Sequence, residues 1–204
     1  MNTTLSYPEI IAWIEKKGIE LYGKKFKILE TDHEIIYKLI AYFLNDAPVC
    51  SQYGINLNKG IVLTGPIGSG KTTLMNLMKL LAQPENKFAI KPCRDISFEF
   101  IQDGYQIIHK YSLGQLYHSE PRTYCFDDLG TENNLKYFGN ECNVMAEIIL
   151  SRYDLFISKK LKTHITANLS ATEIEKHYGN RVRSRLRELC NLIAFDKTTN
   201  DKRK

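Results

Sequence analysis

The chain has 204 residues, 43% of them hydrophobic and 25% charged, with a net charge of +5. That suits one mid-sized core, or one domain with a small appendage, and no low-complexity segment or internal repeat interrupts it. No stretch approaches the roughly 20 apolar residues of a membrane span, and the mild basicity permits nucleic-acid contact without requiring it.

The first residues, MNTTLSYPEI, carry neither a basic n-region nor an apolar h-region, so no secretory signal is expected. The five cysteines (Cys50, Cys93, Cys125, Cys142 and Cys190) form no CxxC and no Cys/His cluster. An odd count at irregular spacing reads as reduced core cysteines in a cytoplasmic protein. The five histidines form no ligand spacing either; His164, on a strand, reads as a packed or solvent-facing residue. Basic residues cluster at Lys24, Lys25 and Lys27, at Lys159, Lys160 and Lys162, and at Lys202, Arg203 and Lys204. Each cluster reads either as solvated surface (a frayed tail in the last case) or as a phosphate-backbone contact.

Ser6-Tyr7-Pro8-Glu9 is a capping box with proline in the first helical turn, followed by Ile10, Ile11 and Ile14 on one face. Thr31-Asp32-His33-Glu34 reads as a second capping box, ahead of Ile35/Ile36, Leu39/Ile40 and Phe43/Leu44 at helical spacing. Asn45-Asp46-Ala47-Pro48 ends this helical stretch. Trp13 and Tyr22 in it read as core residues or as anchors for a partner. The pattern then changes to strands alternating with helices. Strands are expected at 60–64, 88–90, 123–126, 163–167 and 192–195, and helices at 71–82, 95–112, 140–157, from the Ser170 cap to Gly179, and 180–189. Such alternation predicts a parallel sheet wrapped by helices.

Gly65-Pro66-Ile67-Gly68-Ser69-Gly70-Lys71-Thr72 matches G-x-x-x-x-G-K-[ST], with a strand before it and a helix after it. The glycines let backbone N–H groups turn inward onto phosphate oxygens, and the helix start adds partial positive charge. Lys71 then reaches the β- and γ-phosphates and Thr72 offers its hydroxyl to Mg²⁺. These residues, with Thr73, are the candidate binding residues for ATP. The metal's second ligand is expected at the end of a buried strand. Thr123-Tyr124-Cys125-Phe126-Asp127-Asp128 supplies it: Asp127 as the Mg²⁺ ligand and Asp128 as the group polarising the attacking water. Asn168, at the end of the following strand, can bond the γ-phosphate or its water. Arg181 and Arg185 share a helix face, from which an arginine can reach a neighbouring copy's γ-phosphate.

Asp127-Asp128-Leu129-Gly130 also fits the D-x-x-G of GTPases, but no N-K-x-D guanine reader follows, and no LSGGQ-type signature of a transporter ATPase is present. A small-molecule kinase stays open, since the arginines at 181, 183, 185 and 187 imitate a kinase lid.

GPIGSGKTT, CFDDLGTE, ILSRY, THITANLS and YGNRVRSRL, in that order, resemble the DnaC/IstB-like group of AAA+ ATPases, which includes helicase loaders and the ATP-dependent helpers of transposases. The resemblance covers about residues 48–196. It implies that Lys71 and Thr72 are the Walker A pair, Asp127 the Walker B metal ligand, Asn168 sensor 1, and Arg185 the arginine finger with Arg181 beside it. The chain departs from the common pattern in two ways. Asp128 stands where many AAA+ proteins have Glu, so slow turnover is expected, with Glu132 a weak substitute. No helical lid is expected after the last strand, and Arg203 is the remaining candidate for the arginine a lid would bring.

The expectation is therefore an α/β P-loop NTPase (AAA+) with a parallel sheet sandwiched by helices. Residues 1–47 form an N-terminal helical segment and 48–204 the ATPase core with a basic tail. Its expected work is ATP- and Mg²⁺-dependent self-assembly on DNA, most readily single-stranded, as a cytoplasmic loader of a replicative helicase. The alternatives are a transposase helper and a small-molecule kinase.

Overall fold

The computed structural model describes residues 6–114, 121–132, 135–137 and 140–202. Their contacts divide the chain into a helical unit (Met1–Leu57 with Gly70–Lys87) and a sheet unit (Asn58–Ser69 with Phe88–Lys204).

In the helical unit, α1 (Tyr7–Tyr22) starts at the expected box: the Ser6 N–H donates to the Glu9 carboxylate at 2.7 Å. Its inner stripe is Ile10, Ile14 and Gly18. Trp13 is half-buried and Tyr22 exposed, with the Tyr22 ring 6.1 Å from that of Phe26. The second box does not close. Glu30–Asp32 is a 3-10 turn, α2 (His33–Phe43) follows with no side-chain cap, and Glu34 pairs with Lys38 at 2.5 Å. A lysine four positions after an acidic residue competes with the cap for the same carboxylate.

The break after α2 also starts a helix. Asn45 takes a left-handed φ of 59°, and Asp46 accepts the Val49 N–H at 3.2 Å to open α3 (Ala47–Gln52). Six residues are too few for a helical period to show in sequence. The Tyr7 hydroxyl donates to Asp46 across the unit at 2.9 Å. The last helix, α4 (Lys71–Leu81), buries Leu74, Met75, Leu77 and Met78.

The sheet unit carries five parallel strands: β1 (Gly60–Thr64), β2 (Ala89–Pro92), β3 (Tyr124–Leu129), β6 (Thr163–Ala167) and β7 (Cys190–Ala194), in the order β2-β3-β6-β1-β7. Between β3 and β6, Leu135–Tyr137 (β4) pairs antiparallel with Asn140–Cys142 (β5). The flanking helices are α5 (Cys93–Asp103), α6 (Gln106–Ser112), α7 (Val144–Lys159) and α8 (Ala171–Leu189). The helix expected over 95–112 is two helices, because Gly104 takes a φ of 59° and ends α5. The residues expected to open a helix at 140 instead end the hairpin, and α7 starts at the Asn143 cap, which accepts the Ala146 N–H at 3.0 Å. The Ser170 capping box forms as read, and Gly179 (φ 84°, ψ 161°) breaks α8 where a stop was expected.

The sheet's core is apolar: Ile96 and Phe100 of α5, Phe126 and Leu129 of β3, Met145, Ile148 and Ile149 of α7, and Leu186 and Leu189 of α8. Arg152 and His164 are among the polar side chains buried in this unit. Arg152 of α7 is 0% exposed. Its guanidinium donates to Thr163 Oγ1 at 2.7 Å and to the carbonyls of Tyr111 (2.8 Å), Lys162 (3.0 Å) and Arg122 (3.1 Å), and it lies 5.5 Å from the Tyr124 and Phe126 ring centres. Burial lowers its pKa to about 10, so it remains charged at neutral pH. His164 of β6 is also buried; its Nδ1 accepts the Ile61 N–H at 3.1 Å, and burial pushes its pKa down to about 3. Among the described residues no helix is long and apolar enough to cross a membrane.

Two stability predictions follow from these buried groups. Arg152→Met strands three carbonyls and a hydroxyl and is expected to cost about 3–5 kcal/mol in urea unfolding. Arg152→Lys recovers little of it, because an ammonium cannot reproduce the planar fork. His164 is neutral when folded but takes a proton near pH 6.5 when unfolded. Its contribution is whole above that pH and is lost as pH falls below it, at up to about 1.4 kcal/mol per unit. Urea midpoints between pH 6.5 and 5, where carboxylates hardly titrate, are expected to show this slope. His164→Asn, whose side-chain oxygen can still accept the Ile61 N–H, is expected to flatten it.

Candidate functional site

The phosphate-loop motif leaves the end of β1. The Gly65 N–H donates to the Ala167 carbonyl at 3.3 Å, so the loop starts beside the end of β6. Inside the loop the Ser69 N–H closes a turn onto the Pro66 carbonyl at 3.2 Å. Gly68 (φ 81°) and Gly70 (φ 93°) both take left-handed conformations that few side chains tolerate. Residues 65–69 count with the sheet unit and Gly70 onward with the helical unit. Gly70 is the N-cap of α4, and its carbonyl accepts the Leu74 N–H at 2.9 Å. Lys71 is buried at 5% exposure, Thr72 and Thr73 are half-buried, and Ile67 is 64% exposed.

The second acidic element sits at the end of β3. Asp127 is buried, and the Thr166 hydroxyl of β6 donates to its Oδ1 at 2.6 Å. The same hydroxyl accepts the Asp128 N–H at 2.8 Å. The register slips here: Phe126 pairs with Ile165 but Leu129 with Ala167, so Asp127 and Asp128 span a bulge. Asp128 takes a φ of 54° and is exposed. A bulge re-aims side chains, and in this one the buried carboxylate and the exposed one are consecutive residues. Thr166 was not among the residues picked out from sequence. The available signal was a hydroxyl inside a fully buried strand, which must find a partner there.

Asn168, exposed, is the first residue past β6. Glu132 does not stand free beside Asp128: it accepts the Gly130 N–H at 3.0 Å and a short hydrogen bond from the Tyr178 hydroxyl. Burial first, and Glu132 second, push the Tyr178 hydroxyl pKa up. Arg181 is exposed just past the Gly179 break. Arg185 lies over the Tyr153 ring of α7, its guanidinium carbon 4.1 Å from the ring centre. It donates to the Tyr153 hydroxyl at 3.0 Å and to Glu188 at 3.2 Å, while the Tyr153 hydroxyl donates to Glu188 at 2.6 Å. Arg183 is paired with Glu175. Arg203 lies outside the described residues.

Three observations fit a bound triphosphate and Mg²⁺. Gly68 and Gly70 give the loop the backbone shape that turns N–H groups toward an anion. Ser69 Oγ is fully buried with no hydrogen-bond partner, an arrangement proteins tolerate chiefly where a ligand or water completes the site. Asp127 is oriented by Thr166. Among the described residues no cluster of three or more His, Cys, Asp or Glu forms a metal site of its own.

No protein-family model and no curated protein matches the sequence. Solved structures match in fold. A DnaC helicase loader superposes with a TM-score of 0.58 at 18% identity, over 83% of this chain and 92% of that one. DnaA from Aquifex aeolicus, bound to AMPPCP, gives 0.56 at 14% identity, over 84% of this chain and 48% of that one. At these identities the likeness is one of fold, the parallel sheet flanked by helices that the sequence led us to expect.

Thr166→Val is expected to lower stability by about 1–3 kcal/mol, since it leaves the buried Asp127 oxygen and the Asp128 N–H without their shared partner. Thr166→Ser, which keeps the hydroxyl, should recover most of that loss in chemical unfolding.

Proposed function

We propose that this chain is an ATP-binding, ATP-hydrolysing AAA+ protein that acts on DNA through ATP-dependent assembly, and that its partner is a replicative helicase, as for a DnaC-like loader. The observation that carries the reading is the glycine cradle of residues 65–70 joined to a helix N-terminus, in a sheet that also presents an oriented buried carboxylate, Asp127. The fold match over nearly the whole of a DnaC helicase loader supports the choice of partner.

In this reading the loop N–H groups and Lys71 hold the phosphates, and Thr72 and Asp127 hold the metal. Bound Mg²⁺ supplies charge neutralisation on the phosphate oxygens. Asp128, exposed at the bulge, polarises the attacking water, and Asn168 orients it. Arg185 serves the site of a neighbouring copy, so the bound nucleotide is part of the interface between copies. For that it must leave Glu188 for a phosphate, an exchange between an exposed surface pair and a stronger anion. The basic clusters at Lys24, Lys25 and Lys27 and at Lys159, Lys160 and Lys162 line the assembly and follow a nucleic-acid backbone, with salt-sensitive affinity. The short Asp128 carboxylate is compatible with slow turnover, which suits a switch whose signal is the bound state.

The test is the ATPase rate with and without single-stranded DNA, across protein concentrations, for the wild type and Arg185→Ala. Specific activity is expected to rise with concentration and with DNA. Arg185→Ala should lower kcat at least tenfold while ATP still binds. Activity that is independent of concentration, indifferent to DNA and retained in Arg185→Ala would refute the assembly reading and favour a monomeric phosphotransferase.

A further inference from the structure

The last described residues return to the phosphate loop. After β7, the Phe195 N–H donates to the Thr64 carbonyl at 2.8 Å, so the segment leaves the sheet beside the point where the loop begins. Asp196 turns the chain, accepting the Thr198 N–H at 2.8 Å, and its carbonyl takes the Thr199 N–H at 3.0 Å. Residues 201 and 202 then lie on the loop. The Lys202 N–H donates to the Gly68 carbonyl at 3.0 Å, and its ammonium donates to the Ser69 carbonyl at 2.8 Å. That ammonium also sits 4.8 Å from the centre of the Phe195 ring. The approach is close enough that a Cβ on Gly68 would stand 2.0 Å from Asp201 Oδ1.

These two bonds end on carbonyl oxygens, and a phosphate approaches a peptide unit from its N–H side. In a planar trans peptide the C=O and the N–H of one unit point in opposite directions. The Gly68–Ser69 unit is satisfied at both ends, its oxygen by Lys202 and its N–H by Pro66. The Ser69–Gly70 unit has its oxygen fixed by the Lys202 ammonium, which sets the Gly70 N–H pointing the opposite way. Glycine-rich backbone is the segment least able to hold such a direction unaided.

We infer that Lys202 is a positioning residue for nucleotide binding: it braces the carbonyl side of the phosphate loop and so aims the Gly70 N–H at the phosphates. This rests on the reading of the loop as a triphosphate site. The brace acts on the loop, not on the γ-phosphate, so it serves ATP and ADP alike.

The experiment is calorimetric titration of the full chain with Mg·ATP and with Mg·ADP, for the wild type, Lys202→Ala and Lys202→Arg, with melting temperatures and steady-state kinetics on the same samples. Lys202→Ala is expected to weaken both nucleotides about five- to tenfold, the loss of a charge-assisted hydrogen bond. The ratio of ATP to ADP affinity should stay within about twofold of the wild type, as should kcat at saturating ATP. Lys202→Arg, which can still donate to the Ser69 carbonyl, should recover most of the affinity. Unchanged affinity in Lys202→Ala overturns the brace. A loss for ATP alone overturns it in favour of a direct γ-phosphate contact, and tighter binding overturns it in favour of a tail that competes with nucleotide. If the wild type binds neither nucleotide, the reading of the loop itself fails, and the brace with it.

Discussion

A buried guanidinium is the constraint on which the sheet unit depends. Arg152 sits in the core without exposure, yet burial costs a charged group several kcal/mol unless its donors are satisfied. Here three carbonyls and a hydroxyl satisfy them, from the last turns of α6, the residues just ahead of β3 and the start of β6. The geometry of one planar fork therefore fixes the entry ends of two adjacent parallel strands. Tyr124 pairs with Thr163 and Phe126 with Ile165, and one strand length further on the same pairing brings Asp127 against Thr166. The hydrogen bond at the site is set in register by a hydrogen-bonded cation at the other end of the strands.

The strand order accounts for what gathers at those far ends. With β1 between β6 and β7, the loop leaving Thr64 has the end of β6 on one side and the end of β7 on the other. A parallel sheet sends every strand end to the same edge, where ligands of such folds bind. The segment after β7 is thus delivered to the loop's outer side by topology alone, and Lys202 needs only a short turn at Asp196 to reach it. The bulge at Asp127 and Asp128 completes the edge by letting one acidic residue turn inward while the next faces solvent.

What could be read from sequence was what depends on near neighbours. Ser6 and Ser170 cap helices through residues three positions away, and both capping boxes form. The glycine spacing of the phosphate loop is likewise local. Strands β1 and β6 were legible to the residue because an apolar run bounded by turn residues has few other uses. The failures have non-local or competing causes. Glu34 prefers Lys38 to a cap, Gly104 divides what looked like one amphipathic helix, and β3 runs three residues past its apolar part because Asp127 is stabilised from β6. Lys202 read as tail because nothing in a terminal cluster of basic residues announces a contact with Ser69, 133 positions away in the chain. Arg152 read as part of a motif, without any sign that it would be buried.

That motif, the arginine–tyrosine pair of ILSRY, has a physical reason in this fold. Successive residues of an α-helix point about 100° apart, so neighbours can serve opposite environments. Arg152 turns into the core and holds the entry ends of β3 and β6; Tyr153, half-buried at the core's rim, carries the Arg185 guanidinium on its ring. The helix bearing Arg185 has a second reference point, because Tyr178, the residue before the Gly179 break, is bonded to Glu132 in the segment that follows β3. Arg185 is thus located twice over: through Tyr153 by the helix that sets the sheet's register, and through Tyr178 by the segment that follows β3. Both aromatic residues that locate it have their hydroxyls bonded to carboxylates, Tyr153 to Glu188 and Tyr178 to Glu132.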